Sequence, residues 1–498
     1  LRSSPLGEGL TGSILSLTPT SVRFNSGLTR SEATFTSYRV AVERPDDSLR
    51  TPTLNLTHVW RNSAGVTLQP LGMLTLDGNL TSARDLRRYT DTTTLGRLVG
   101  AERKQFLGMD VGVERERQVS TSMALVPAVA RWLRPRYLRS SGFGLVRDLT
   151  SRDPVRADGD SGAFLLPQTY NNQQSNEVGL SVDLNRVAGL VAGDSSGVGR
   201  YFRRVRALDL TSRRTLTSSY DLATFEPDLG FMLAMGGLDE FRAHGGERAV
   251  SASEGKEARV GTGADFPGGL SMTASYADVV TTTYSQVGDG TSVSESRQRE
   301  WPQGSARLNR PLRRGPIALV ALGATFRKRE GSTITSSDAG AARSKNTQSV
   351  VNPDAMLSLR NGVTVNLAYS HTGTITETGA NHTEQATDQW TGTLAHTLRL
   401  PASISVTRRP VRASVNGQSS ISTTCLLLGA SPELGCRTVA DVRRLSFSGG
   451  FTTDVLPMAT AGLNFQYVSN DIRHLNQKTT QLSIVASLRL QLSTGDLR

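Results

Sequence analysis

The sequence predicts an all-β chain folded as a large antiparallel transmembrane β-barrel, and three observations predict it. After the turn Arg360-Asn361-Gly362, residues Val363, Val365, Leu367 and Tyr369 alternate with Thr364, Asn366, Ala368 and Ser370. That is a period of two, with one apolar face and one small, polar face. The pattern recurs: Leu482, Ile484, Ala486, Leu488 and Leu490 alternate with Ser483, Val485, Ser487, Arg489 and Gln491, and Leu463, Phe465 and Tyr467 with Asn464 and Gln466. Leu445, Phe447 and Phe451 share a face opposite Ser446, Ser448 and Thr452. Several runs pass the roughly nine to eleven residues that a tilted strand needs to cross a bilayer, whereas ordinary strands hold about five or six.

Composition fits this class. Only 37 % of the 498 residues are hydrophobic, and Gly is plentiful at 48, as suits strands with one apolar face and a wet interior. No run approaches 18 consecutive apolar residues, so no helical span is expected, and a barrel needs none. Leu1 to Leu10 carries no apolar signal-peptide core, yet an apolar run is under way by Ile14 to Leu17, so the chain is expected to be a fragment of a bigger barrel. The 56 basic residues against 44 acidic give +12. Such an excess reads as a solvated face, with nucleic acid or anionic lipid as the functional alternatives. The densest run, Arg200, Arg203, Arg204, Arg206, Arg213 and Arg214, surrounds Tyr201 and Phe202 but has no recognisable nucleic-acid module around it.

In chain order, residues 1–138 read as barrel strands. Turns at Thr18-Pro19-Thr20, Gln69-Pro70-Leu71-Gly72 and Val126-Pro127-Ala128 alternate with polar loops at 43–50 and 83–104. Residues 139–259 read as an irregular region, with long loops or an insertion between strands. A loop is expected over 142–162, and an excursion from any strand at Leu166-Pro167-Gln168-Thr169-Tyr170-Asn171-Asn172. Strands resume at Leu180, Val182 and Leu184 and at Phe231, Leu233 and Met235, with a short helix near 238–244. A plug or gate-like element fits this region. Residues 260–498 return to barrel strands, with turns at Phe266-Pro267-Gly268-Gly269, Arg314-Gly315-Pro316, Arg360-Asn361-Gly362, Leu400-Pro401-Ala402 and Val455-Leu456-Pro457. Asn-Gly in the third of these predicts a type I′ hairpin turn. Long polar loops are expected at 285–300, 328–346, 373–388, 418–441 and 469–478. Short turns on one side and long loops on the other are what outer-membrane barrels show.

The run Leu166 to Asn172, the strand starts Leu400-Pro401-Ala402-Ser403-Ile404 and Thr18-Pro19-Thr20-Ser21-Val22, and Pro227-Asp228-Leu229-Gly230-Phe231 resemble the C-terminal barrel part of SprA-type translocons. These are the outer-membrane channels of type IX secretion. The resemblance spans most of the chain through individually weak motifs. It implies a very large barrel that passes folded cargo and docks accessory secretion subunits.

Enzyme chemistry finds little support. Gly159-Asp160-Ser161-Gly162 is similar to the nucleophile motif of trypsin-like proteases, but Ala163 departs from it and His58, in Leu56-Thr57-His58-Val59-Trp60, is the single upstream histidine. A polar turn explains the same residues through Gly and Asx geometry. His244, His371, His382, His396 and His474 are scattered, without metal-ligand spacing, and Gly193-Asp194-Ser195-Ser196-Gly197 lacks the lysine of a phosphate loop. No catalytic, cofactor or metal site is predicted. Cys425 and Cys436 flank a loop holding Gly429, Ser431, Pro432 and Gly435; they read either as a local disulfide in an oxidising compartment or as two free thiols. Tyr276, Tyr284, Trp390 and Tyr467 read either as interface girdle or as cross-strand packing.

The resulting expectations are a Gram-negative outer membrane location and Val363, Val365, Leu367, Leu482, Ile484 and Leu488 against lipid, with Thr364, Asn366, Ser483 and Gln491 facing a polar interior. The expected role is part of a protein-conducting secretion channel, with secreted cargo and accessory secretion subunits as partners and no nucleic acid. A porin or receptor barrel for small solutes, and a soluble all-β serine protease, are the alternatives.

Overall fold

The computed structural model describes residues 16–35, 53–106, 108–147, 149, 154–158, 161–192, 202–287, 290–337, 340–398, 410–427, 429, 436–456 and 459–490. Eighteen strands among them form one antiparallel sheet. The first six are β1 (Pro19–Phe35), β2 (Thr53–Leu71), β3 (Leu74–Asp85), β4 (Val113–Leu125), β5 (Leu133–Arg147) and β6 (Gln168–Val182). Next come β7 (Leu208–Tyr220), β8 (Ser251–Phe266), β9 (Leu270–Val287), β10 (Gly290–Pro311), β11 (Ile317–Ser337) and β12 (Gly340–Leu359). The last are β13 (Thr364–Thr378), β14 (Asn381–Leu398), β15 (Val411–Leu427), β16 (Arg437–Leu456), β17 (Ala459–Ile472) and β18 (Gln477–Leu490).

Each strand pairs with the next in sequence, an up-and-down meander. This is the architecture of the antiparallel transmembrane-barrel class, all-β with short helices that among the described residues are α1 (Thr94–Ala101), α2 (Leu184–Ala192), α3 (Leu229–Met232) and α4 (Leu238–Arg242). Among the described residues, β1 pairs with β2 alone and β18 with β17 alone.

Register turns the period-two pattern into continuous faces. One cross-strand row runs Leu367, Gly392, Gly417, Phe447, Tyr467, Leu482, and its neighbour Val365, Leu394, Val415, Gly449, Phe465, Ile484. Between them, on the opposite face, lies Asn366, Thr393, Asn416, Ser448, Gln466, Ser483. Aromatic rings on the apolar face lie over glycine gaps: a Cβ on Gly449 would stand 2.4 Å from the Phe465 ring.

Several expectations are corrected. The Arg360-Asn361-Gly362 turn is not type I′, because Gly362 alone takes a positive φ, of 87°. Leu359 and Val363 instead close a three-residue loop, with Leu359 N donating to Val363 O at 2.8 Å and Gly362 N to Leu359 O at 3.1 Å. The loops expected at 285–300, 328–346 and 373–388 are largely strand: β10 has 22 residues, β11 21 and β12 20. Where both faces meet water, alternation fades from the sequence although the backbone remains paired. Gly142 and Gly144 also lie in strand, in β5, and most of the supposed excursion at 166–172 opens β6, with Tyr170 and Asn172 buried. The irregular stretch 139–259 thus contributes wall strands as well as an insertion. Phe231 lies in α3, not in a strand, because Asp228 caps the turn by accepting Phe231 N at 2.8 Å. The turn at Leu400-Pro401-Ala402 lies outside the described residues, and so does Gln491.

Candidate functional site

The polar face of the sheet is a wall of hydroxyls and amides. A second row on this face runs Ser21, Thr67, Asp77, Ser122, Ser140, Ser175 and continues through Thr281 and Ser296 to Asn381, fourteen strands of polar residues or glycine. Asp77 accepts from Thr67 Oγ1 at 2.7 Å, and Arg213 Nε donates to Ser175 Oγ at 2.9 Å. A groove of about 560 Å³ opens on this face over Gln118, Ser120, Asn171, Gln173, Thr217 and Ser219. Such side chains hold water by neutral hydrogen bonds and fix no particular charge.

The opposite face exposes large apolar side chains. Leu367 is 55 % exposed and Ile484 66 %. Val365, Leu367, Leu482, Ile484 and Leu488 all lie on this face, with Val363 in the turn before β13; Thr364, Asn366 and Ser483 lie on the polar one. Aromatic pairs bound the apolar band: Tyr369 and Trp390 have ring centroids 4.6 Å apart, Tyr276 and Trp301 6.2 Å. Beyond them the same face turns charged, with Arg297 on Asp278 at 2.7 Å. Tyr276 and Trp390 therefore take part in aromatic packing at the edge of the apolar band. Tyr467 sits in the row between Phe447 and Leu482, and Tyr284 lies eight residues past Tyr276 with the Arg242 guanidinium 4.3 Å from its ring centre.

Residues 221–250, between β7 and β8, pack on the face that carries the apolar band. Leu216 is linked through Glu254 to Thr282 on β9, which shares its face with Leu270; from there the row runs Leu308, Leu322, Ala355, Leu367. Phe143, Tyr170 and Tyr220 from this face meet Phe231 of the insertion, with ring centroids 5.7 to 6.4 Å apart. Wall side chains also donate to its backbone: Asn172 Nδ2 to Phe231 O at 2.7 Å, the Tyr170 hydroxyl to Phe225 O at 2.8 Å, and Arg139 Nη2 to Ala234 O at 3.1 Å. The insertion leaves the polar face of these strands uncovered, so it is not placed as a plug against that face.

A second packed element closes the far end of β3. The Asp85 carboxylate, fully buried, accepts from Arg87 Nη2 at 2.6 Å and from the Tyr89 hydroxyl at 3.0 Å. Burial, with Asp85 adding to it, pushes the Tyr89 hydroxyl up to about 12. Nearby α1, capped by Thr93, buries Val99 against Val113, Leu149 and Leu166.

Cys425 and Cys436 are bonded, with Cα atoms 5.5 Å apart. The arginine run divides between faces and partners: Arg206 pairs with Asp265 at 2.6 Å and Arg214 with Glu254 at 2.7 Å, while Arg213 faces the polar side. Gly159 and Asp160 lie outside the described residues. Ser161 opens a two-stranded sheet separate from β2, which carries His58. The structure also brings together residues that spacing did not: His371 Nδ1 lies 2.8 Å from Asp388 Oδ1, across β13 and β14. Only register reveals a pair 17 residues apart in sequence.

No protein-family description and no curated protein sequence matches this chain. Solved structures that it resembles include the beta domain of the Bordetella autotransporter BrkA, at 11 % identity and TM-score 0.22, covering 49 % of this chain and 92 % of that one. Others are the ferric yersiniabactin uptake receptor FyuA of Yersinia pestis, at 10 % identity and TM-score 0.26 over 86 % of this chain and 70 % of that one, and the alcaligin outer membrane receptor FauA of Bordetella pertussis, at 8 % and 0.28 over 87 % and 73 %. Likenesses this weak assign neither a family nor a ligand.

Proposed function

We propose that this chain forms barrel wall in the outer membrane of a Gram-negative bacterium, with its polar face lining a water-filled conduit, and that the conduit passes secreted protein. The observation that carries the membrane reading is the pair of continuous faces, polar rows across many strands backed by exposed Leu, Val, Ile and Phe. In hydrocarbon a strand needs lateral pairing for its backbone and an apolar outward face. The secretion role is supported by the hydroxyl and amide lining, which offers bulky cargo few points of capture, and by the SprA-type resemblance of the sequence motifs. Outer-membrane lipid, secreted cargo and accessory secretion subunits are the partners this reading calls for.

A conduit for small solutes is the second reading, favoured by the same lining of neutral hydroxyls and amides, which suits hydrated solutes as well. Single-cysteine spin labels at Leu367, Ile484, Asn366 and Ser483 test the membrane reading in liposomes. Positions 367 and 484 should report lipid and 366 and 483 water; equal water contact at all four positions overturns it. Proteoliposomes that pass folded cargo of several nanometres support secretion, and passage of small sugars alone supports the solute channel.

A further inference from the structure

Just past the apolar band, three adjacent strands bring a hydroxyl, an imidazole and a carboxylate together on the apolar face. Asp388 on β14 is the register partner of His371 on β13, and its Oδ1 lies 2.8 Å from His371 Nδ1. The Tyr369 hydroxyl donates to the same oxygen at 2.5 Å and holds the carboxylate from a second side. A carboxylate only accepts, so Nδ1 carries a proton, and it is the neutral ring that would present its Nε2 lone pair as base. Ser349 on β12 is the partner of Gly373 on β13. Gly373 has no side chain, and the space above it is shared. A methyl group there would stand 3.1 Å from Ser349 Oγ and 3.6 Å from His371 Nε2.

We propose that Ser349, His371 and Asp388 form an ester-hydrolysing triad whose substrate is the acyl ester of a membrane lipid. The nucleophile, base and orienting acid stand in the order such chemistry requires, base held by acid and nucleophile beside base. Ser349 and His371 both border the open space over Gly373 without a hydrogen bond between them, and the triad requires the serine side chain to rotate toward Nε2 when substrate enters. The His371 row continues through Val351 to Phe326, each 44 % exposed, so an acyl chain has an apolar track leading to the triad. His371 and Asp388 are 39 % and 40 % exposed, which admits water. Lys328, the register partner of Ser349, stands on the same face but is held by Glu330 at 2.7 Å, so it is not counted as a stabiliser of the developing oxyanion.

The Ser349 hydroxyl attacks the ester carbonyl as its proton passes to His371 Nε2. The C–O bond to the glycerol oxygen breaks, and that oxygen takes the proton from His371. Water then attacks the acyl-serine, giving one proton to His371, and the fatty acid leaves as the serine recovers its proton. No oxidant, reductant or metal enters the balance.

The choice of a lipid ester rests on the membrane reading; the triad does not. The full chain in detergent micelles is treated with a fluorescent fluorophosphonate, and the labelled residue is found by peptide mass spectrometry. Its hydrolysis of p-nitrophenyl butyrate, and fatty acid release from dioleoyl phosphatidylcholine in mixed micelles, are measured alongside. Label should fall on Ser349 and vanish in Ser349→Ala, while His371→Ala and the space-filling Gly373→Val should cut both hydrolyses about 100-fold or more. Asp388→Asn should slow them at least about tenfold. Unchanged far-UV dichroism and gel migration without heating keep each variant comparable. Absence of label at Ser349 in the folded wild type, or labelling undiminished in His371→Ala, overturns the triad. Cleavage of p-nitrophenyl butyrate without fatty acid release overturns the lipid substrate and leaves the membrane reading to the spin labels.

Discussion

In β5 to β8 one end of the face that elsewhere carries the apolar band is covered by residues 221–250, whereas in β13 to β18 the same face is bare. Among the described residues, the three clusters of buried apolar side chains draw on residues between Val99 and Ala252. In β13 to β18, Leu367, Trp390, Phe447, Leu482 and Ile484 are all exposed. The first region buries its apolar surface against its own chain and is stable by ordinary packing. The second needs an external apolar phase, because apolar surface on this scale is not left in water by soluble chains. One sheet thus has two sources of stability, one internal and one environmental.

Mutations can break this contrast. The largest effect is expected at the second packed element, at the end of β3. Asp85→Asn leaves Arg87 facing a neutral partner inside a buried cluster and should lower unfolding stability by roughly 3 to 5 kcal/mol, measured by denaturant titration, with little dependence on the surrounding lipid. Insensitivity to Asp85→Asn would mean that the cap contributes nothing to the wall. In the bare region, Ile484→Arg should cost roughly 2 to 4 kcal/mol in bilayers, since it places a charge on the lipid-facing side. Asn416→Arg, on the other face of the same sheet, should leave stability within about 0.5 kcal/mol and shift ion selectivity toward anions in bilayer conductance. If the two arginines cost the same, the two-faced reading of β13 to β18 fails. A change between those of Ile484→Arg and Asn416→Arg is expected at the edge of the bare region: Cys425→Ser opens the link to Cys436 and should cost about 2 to 3 kcal/mol by the entropy of a short closed loop. Thermal melts of the variant under oxidising and reducing conditions check this, and the wild type should lose the same increment when reduced.

Much of the wall was legible in the sequence because a strand with one apolar and one polar face writes that difference into every second residue. The alternations at 363–370 and 482–488 correspond to faces that the register joins over six strands. The same rule explains what was misread. The stretches 285–300, 328–346 and 373–388 are largely strand among the described residues, but they lie past the apolar band and are mostly polar on both faces, so they look like loops. At 166–172, Pro167 and the amide-rich run suggested an excursion, whereas Tyr170 and Asn172 are strand residues whose side chains clasp the insertion.

The sequence by itself determined the all-β class, the period of two and which residues share a face, because these follow from local backbone geometry and side-chain polarity. Tertiary structure alone decided where the insertion of 221–250 packs, which rings cover which glycines, and that Ser349, His371 and Asp388 meet on adjacent strands. Those contacts depend on the register between strands, which hydrogen bonding fixes across the whole sheet and no single strand records.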